Sequence, residues 1–201
     1  MWKYNREEEF LKIVNKEREK ILRSLYIIDM NNRVSDEKLI NNQKELIDEA
    51  RTNNDLVNFV LDKHTMDSLE IKKKGVHNIV GSYESDLIKE YKSEISKPNT
   101  HVYYKNNRNG MYNRTLQDDI TYYKNLREII VMGIDIYDFA IGLSNYLDEI
   151  NKDVKILISR STTNLKENFY YLNSLLDDRG ICVVENNEYL KQLEKLYKLR
   201  K

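Results

Sequence analysis

Apolar residues in the first part of the chain recur at the spacing of an α-helix. Between Glu7 and Ile28 they stand mostly three, four or seven positions apart, with charged residues between them. This pattern is typical of the buried face of an amphipathic helix. The apolar positions are Phe10, Leu11, Val14, Ile21, Leu25 and Ile28. We therefore predict a first helix that ends at the Asn31–Asn32 pair.

The next apolar positions predict further helices. Ser35 is a suitable N-cap for a helix that runs through Ala50, and the same periodicity resumes as far as Leu61. Two shorter helices are expected between positions 66 and 95, one of them ending in the basic turn Lys72–Lys74 before Gly75. Residues 1–96 are therefore interpreted as a helical region.

The segment 97–114 lacks apolar periodicity. It contains the only proline, Pro98, and is rich in asparagine. Such composition is typical of a loop, so this segment is interpreted as the linker between two domains.

Beyond the linker, short apolar runs alternate with helical patterns. We predict three strands at Ile129–Met132, Val154–Ile158 and Ile181–Val184. Helices are predicted over 116–127, 137–150, 164–176 and 188–199. Strands that alternate with helices of this length require crossovers and a parallel sheet. The predicted fold class is α/β, with a helical N-terminal half followed by a small βαβαβα unit over 115–201.

Composition and charge narrow the cellular setting. Lysine plus arginine and aspartate plus glutamate number 33 each, so no global field attracts nucleic acid or an anionic membrane. The single cysteine, Cys182, excludes an internal disulfide, and no apolar segment resembles a secretory signal or a membrane span. We expect a cytoplasmic protein. The abundance of Asn, Ile, Lys and Tyr is typical of an AT-rich genome, such as that of a bacterium, phage, plasmid or large DNA virus.

The stretch Leu116–Glu185 resembles one half of a phospholipase D-like domain in the order of its elements, which include the strands REIIVMGID, VKILISR and ICVVEN. That family's motif pairs a histidine with a lysine two residues later and a downstream aspartate. None of His64, His77 and His101 fits it. The resemblance implies a non-catalytic relative that binds or senses a ligand.

Polar residues after the predicted C-terminal strands are the first candidate site, because ligands bind at the carboxyl ends of parallel strands. Asp135 and Glu185 are candidates for a catalytic base or a metal ligand, although ordinary helix capping is the more common role of such residues. The loop after the second strand predicts a phosphate or carboxylate site, since a guanidinium and hydroxyls meet there at a helix N-terminus. The alternative is that Thr163 or Asn164 caps the helix and that Arg160 pairs with Asp135 or Glu185. Its residues are Arg160, Ser161, Thr162 and Thr163.

A second candidate is a nucleic-acid-binding loop. Aromatic and basic residues alternate between positions 101 and 114 without an acidic residue, a composition that stacks on bases and neutralises phosphates. They are Tyr103, Tyr104, Lys105, Arg108, Tyr112 and Arg114. A solvated linker is the alternative interpretation.

No strong catalytic motif is present, and we predict no metal or cofactor. The first hypothesis is therefore a non-enzymatic binding or regulatory protein that contacts a protein partner, with self-association through the Phe10–Ile28 stripe. The alternatives are an enzyme acting on a phosphate-containing substrate, such as a nucleotide, and a nucleic-acid-binding protein.

Overall fold

The computed structural model describes residue 16, residues 18–165 and residues 170–198. Six parallel strands form one sheet, in the order β3-β2-β1-β4-β5-β6. The strands are β1 (Arg23–Ile28), β2 (Leu56–Asp62), β3 (Thr100–Lys105), β4 (Glu128–Gly133), β5 (Lys155–Ser159) and β6 (Cys182–Val184). The chain order reverses between β1 and β4, and this is where open parallel sheets bind ligands.

Helices connect and cover these strands. They are α1 (Glu37–Asn53), α2 (Leu69–Lys74), α3 (Arg114–Tyr122), α4 (Tyr137–Glu149), α5 (Tyr170–Asp178) and α6 (Asn187–Lys198). Short 3-10 turns lie at Tyr83–Ser85, Lys89–Tyr91, Glu94–Ser96 and Arg160–Thr162. Side chains cap the first three helices, since Asp36, Ser68 and Asn113 each accept a hydrogen bond from a backbone N–H of the first turn. No described helix is long and apolar enough to cross a membrane.

The sheet is buried on both faces. One apolar core joins Tyr26 and Val131 to α3 and α4, and the other joins Ile27 and Phe59 to α1. Alternate residues of β1 therefore point into different cores, and all six of its residues are buried. The protein has three layers, with helices on both faces of the sheet.

The α/β class and the parallel sheet are confirmed, but the helical N-terminal half and the small C-terminal unit are wrong. Half of the sheet comes from the first 105 residues, because β1, β2 and β3 lie there. In a strand buried on both faces the polar alternation disappears, and a continuous apolar run also satisfies the spacing of a helix. For this reason the sequence predicted helix at two segments that are strands, Arg23–Ile28 and Leu56–Asp62.

Two further expectations concern segments that contain strands of this sheet. The apolar stripe predicted for self-association ends inside β1, where Leu25 and Ile28 are fully buried, whereas Phe10, Leu11 and Val14 lie outside the described residues. The segment 97–114, predicted as a linker, contains β3, so the sheet runs across the predicted domain boundary.

Gly133 allows β1 and β4 to approach closely. Its φ is +120°, and an added Cβ would lie 2.1 Å from the carbonyl oxygen of Ile28. We expect Gly133→Ala to lower the free energy of unfolding by about 3 kcal/mol or more, because backbone must move as well as adopt a strained φ. Gly180→Ala is the control, since φ there is +68° but no atom lies within 4 Å. Urea unfolding should give a loss of about 1 kcal/mol for the control, and equal losses would contradict this explanation.

Candidate functional site

Charged side chains converge where β1, β2 and β3 end. Asp29 directly follows β1, and Asp62 and Lys105 are the last residues of β2 and β3. The strand register places Asp62 opposite Lys105. The backbone of Asp29 has a φ of +53°, a conformation that aspartate tolerates better than most residues. The side chains at the carboxyl ends of three neighbouring strands thus lie together, beside the place where the order of the strands reverses.

Lys105 holds the two carboxylates together. Its Nζ lies 2.7 Å from Oδ2 of Asp29 and 3.5 Å from Oδ1 of Asp62, and its side chain is only 3% exposed. A lysine this deeply buried requires such partners, because an isolated charge away from water is very costly. The three residues form one ionic cluster, in which the lysine is buried and the two carboxylates are partly exposed.

The pKa values of the two carboxylates of this cluster are shifted in opposite directions. Burial raises the pKa of Asp29 to about 6, against the opposing effect of Lys105. Burial also acts to raise the pKa of Asp62, but Lys105 and the hydrogen bonds from Asn78 and His64 outweigh it and lower that pKa. Asp62 therefore stays ionised, whereas Asp29 exchanges a proton near neutral pH.

A loop brings two histidines to Asp62. The chain leaves β2 after Asp62, passes through α2 and returns, so that His64 N–H donates to the Asn78 carbonyl and Val80 N–H donates to the His64 carbonyl. This return places His77 beside His64, with ring centroids 4.7 Å apart. The Nε2 atoms of His64 and His77 lie 2.8 Å and 3.9 Å from Oδ2 of Asp62.

Asp62, His64 and His77 have the donor set of a zinc site. One ligand atom from each residue lies within 4.8 Å of the others, and two imidazoles with a carboxylate are a common zinc set that leaves a position open for substrate or water. His77 Nδ1 is 2.7 Å from the Gly75 carbonyl, so this nitrogen donates and Nε2 keeps its lone pair. Buried His64 Nδ1 has no hydrogen-bond partner among the described residues. The residues present therefore fit a divalent metal.

The ionic cluster and His77 border one cavity of about 330 Å³, called the site cavity here, and His64 lies buried beside it. This is near the lower end of the range for small-molecule sites. Its described lining contains no serine, threonine or cysteine. Cys182 lies on β6, and burial raises the pKa of its thiol. The described lining therefore offers no hydroxyl or thiol nucleophile, which leaves water, a carboxylate, an amine or the imidazole of His77.

The structure separates the two predicted catalytic carboxylates. Asp135 lines the site cavity, where its backbone N–H and its carboxylate both bond to Asn164. Glu185 lies in a different cavity and pairs with Arg160 at 3.1 Å. Asp135 and Glu185 thus border different cavities, and a role for either one as a catalytic base or metal ligand stays a prediction.

The predicted anion loop lies in that second cavity, which has a volume of about 840 Å³ and is bounded by α1 and the loops after β5 and β6. The hydroxyls of Thr162 and Thr163 donate to the carbonyls of Ser159 and Arg160, and Ser161 Oγ donates to Asn187. Three hydroxyls thus bond within the protein, while Nη1 of Arg160 is buried without a partner in the described part of the chain. Anion binding at this loop stays a prediction.

The predicted nucleic-acid set is divided between interior and surface. Tyr103 is buried and its hydroxyl donates to Asp119 at 2.5 Å, while Lys105 belongs to the ionic cluster. These two side chains are not available to bases or phosphates. The exposed members are Tyr104, Arg108, Tyr112 and Arg114, for which nucleic-acid binding stays a prediction.

Sequence reasoning missed Asp29, Asp62, His64 and His77, and assigned Lys105 to a surface loop. A signal was present, because LYIID and FVLD, like VMGID, are apolar runs that end in aspartate. Such runs are typical of buried parallel strands with a polar residue at the carboxyl end. The separation of His64 from His77 matched no short metal motif. Residues 65–77, which contain α2 and are called the α2 loop here, bring His77 back to His64.

A scan against protein-family models finds no match to this chain, and a search of curated proteins finds none either. Solved structures do match. The N-carbamoylsarcosine amidase of Thermoplasma acidophilum has a TM-score of 0.66 at 19% identity, covering 81% of this chain and 95% of its own. An isochorismatase family protein of Desulfovibrio vulgaris gives 0.67 at 15% identity, covering 89% and 99%. The pyrazinamidase of Pyrococcus horikoshii, solved in complex with zinc, gives 0.64 at 14% identity, covering 81% and 98%.

These likenesses show that the fold is isochorismatase-like. They overturn the first hypothesis, a non-enzymatic binding or regulatory protein, because the structures that share the fold include amidases and hydrolases. The expectation that the chain is not an enzyme and the emphasis on protein–protein interaction are corrected with it. The fold match also spans most of the chain, in contrast to the half-domain resemblance over Leu116–Glu185.

Proposed function

We propose that this protein is a hydrolase that cleaves a carbon–nitrogen amide bond of a small molecule in the site cavity. The observation that carries the proposal is the convergence of the Asp29–Lys105–Asp62 cluster with a zinc-type set of ligands around one small cavity. The amidases among the structural neighbours support this reaction class.

Asp29 is the proposed general base. It lines the cavity, and its Oδ1 is buried without a hydrogen-bond partner among the described residues. In the reaction, a water oxygen forms a bond to the amide carbon while its proton passes to Asp29. The carbon–nitrogen bond then breaks, and the nitrogen leaves with the proton that Asp29 returns.

Lys105 and the metal ligands support this step. The Nζ of Lys105 lies 2.7 Å from Oδ2 of Asp29 and fixes the direction of that carboxylate. Asp62, His64 and His77 would hold a divalent ion, which when bound supplies Lewis-acid polarisation of a carbonyl or of water. Asn78 donates to Oδ2 of Asp62 at 3.1 Å and positions that ligand. The cytoplasmic location expected from the sequence stays a prediction.

The test is ammonia release from small primary amides, pyrazinamide among them, by the full-length chain after chelation and after reloading with zinc. Zinc-dependent release is expected, and Asp29→Asn should lower it by about 100-fold or more, as is usual for loss of a general base. Asp135→Asn is the matched control at the same cavity. Asparagine keeps the hydrogen bond to Asn164 and also tolerates the φ of +49° at this position. Release that survives in Asp29→Asn and is lost in Asp135→Asn would overturn the assignment.

A further inference from the structure

The cationic side chains that line the site cavity differ in whether they have ion-pair partners. Among the described residues that line it, Arg33, Lys74, Lys105 and Arg108 carry a positive charge. Lys105 is bound to Asp29 and Asp62, and Lys74 forms an ion pair with Glu70. The two arginines at the rim have no ion pair shorter than 3.9 Å with another described residue.

Neither arginine has a strong partner in the described structure. Arg33 follows β1 in the loop before α1, is exposed, and makes no side-chain hydrogen bond or ion pair with another described residue. Arg108 approaches Asp138 only to 3.9 Å, and both side chains are more than half exposed. Exposed pairs at such a distance contribute little. Both guanidinium groups therefore remain available to a ligand.

The chemistry at the rim favours a carboxylate. A guanidinium offers parallel N–H donors that match the two oxygens of a carboxylate. The same rim carries the exposed carboxylate of Asp135, and Glu70 also lines the cavity. These acidic groups oppose a doubly charged phosphate more strongly than a single negative charge.

We propose that the substrate carries a carboxylate in addition to its amide, and that Arg33 and Arg108 bind this carboxylate while the amide lies at Asp29. The inference rests on the proposed function for the identity of the reacting group. It adds the substrate class, a small amide that is also an acid, and two residues that determine specificity.

The test compares amides that differ only by the carboxylate. Oxamate, malonamate, succinamate and glutaramate are each paired with the neutral amide in which a methyl group replaces the carboxylate. Dissociation constants are measured for the zinc-loaded chain by ligand-observed NMR, and kcat/KM by ammonia release. At least one acid is expected to bind about tenfold more tightly than its neutral partner.

Replacing each arginine tests whether it contacts the carboxylate of the substrate. Arg33→Gln and Arg108→Gln should each reduce the preference for the acid about three- to fivefold, whereas binding of the neutral amide stays unchanged. Arg114→Gln is the control, because Arg114 is also an exposed arginine but does not line the cavity. Unfolding free energies of the three variants should match the wild type.

The outcomes separate the two proposals. Absence of a preference at every chain length, or a preference that survives in both variants, overturns this inference even if neutral amides are hydrolysed. A preference that both arginine variants lose, without ammonia release from any amide, supports the carboxylate site and overturns the hydrolase.

Discussion

Replacing His64 with alanine is expected to weaken zinc binding by more than about 100-fold, because the variant loses one of three protein ligands. The Nε2 of His64 lies 2.8 Å from Asp62, and the ring is 1% exposed, so no other described side chain takes its place without rearrangement. Isothermal titration of the chelator-treated chain with zinc measures the loss. In the wild type, zinc at 100 times its dissociation constant should also raise the free energy of unfolding by about 2.7 kcal/mol.

Two further variants make the result specific. His77→Ala removes a more exposed ligand and should cause a similar loss of affinity without opening the core. His101→Ala is the control, since His101 bonds to Tyr103 and Asp119 and lies outside the zinc-type cluster. If zinc binds equally to the wild type and to both ligand variants, the metal assignment is wrong.

Replacing Lys105 with methionine is expected to lower the free energy of unfolding at pH 7 by about 3–5 kcal/mol, because two buried carboxylates lose their shared cation. Methionine keeps most of the side-chain length, so lost charge rather than lost volume is tested. Hydrolysis should be lost as well, since Asp29 loses the partner that orients it.

The pH dependence distinguishes this cause from a general packing defect. Lys105 lowers the pKa of both Asp29 and Asp62, so both values rise in the variant. Between pH 7 and 5 the folded variant therefore binds more protons than the folded wild type, so its stability deficit relative to the wild type should narrow as the pH falls through this range.

Lys152→Met is the matched control for Lys105→Met. Lys152 is half-buried but donates to the backbone carbonyls of Ile120 and Tyr123, without a carboxylate partner among the described residues. Urea unfolding at pH 7 and at pH 5, without metal, measures the loss of unfolding free energy relative to the wild type. This loss should become smaller at the lower pH for Lys105→Met and stay constant for Lys152→Met. A deficit independent of pH would contradict the ionic explanation.

The sequence allowed prediction of much of the C-terminal half and little of the site. The runs at Ile129–Met132 and Val154–Ile158 lie between clear helical patterns, and both coincide with strands. In the N-terminal half, residues such as Tyr26 and Phe59 stand in strands covered on both faces. Local periodicity does not distinguish such strands from buried helix.

The site depended on information that a linear pattern does not carry. Asp29, Asp62 and Lys105 meet only because β1, β2 and β3 are neighbours in the sheet, and this order follows from tertiary pairing. His77 reaches Asp62 through the return of the α2 loop, whose length matches no short motif. The predicted residue Asp135 was found near the site because its strand, β4, was recognised.

The α2 loop divides the metal ligands into two kinds. Asp62 ends an interior strand that is paired on both sides, and His64 lies two residues beyond it, whereas His77 is held by a segment tied back through the two hydrogen bonds between His64 and residues 78 and 80. Amide hydrogens of β2 should exchange with solvent slowly, and those of residues 65–77 much faster, because the loop opens without unfolding the sheet. An ion at this site would therefore be held by two ligands at the end of a rigid strand and by one on the loop, and opening of the loop would limit how long it stays.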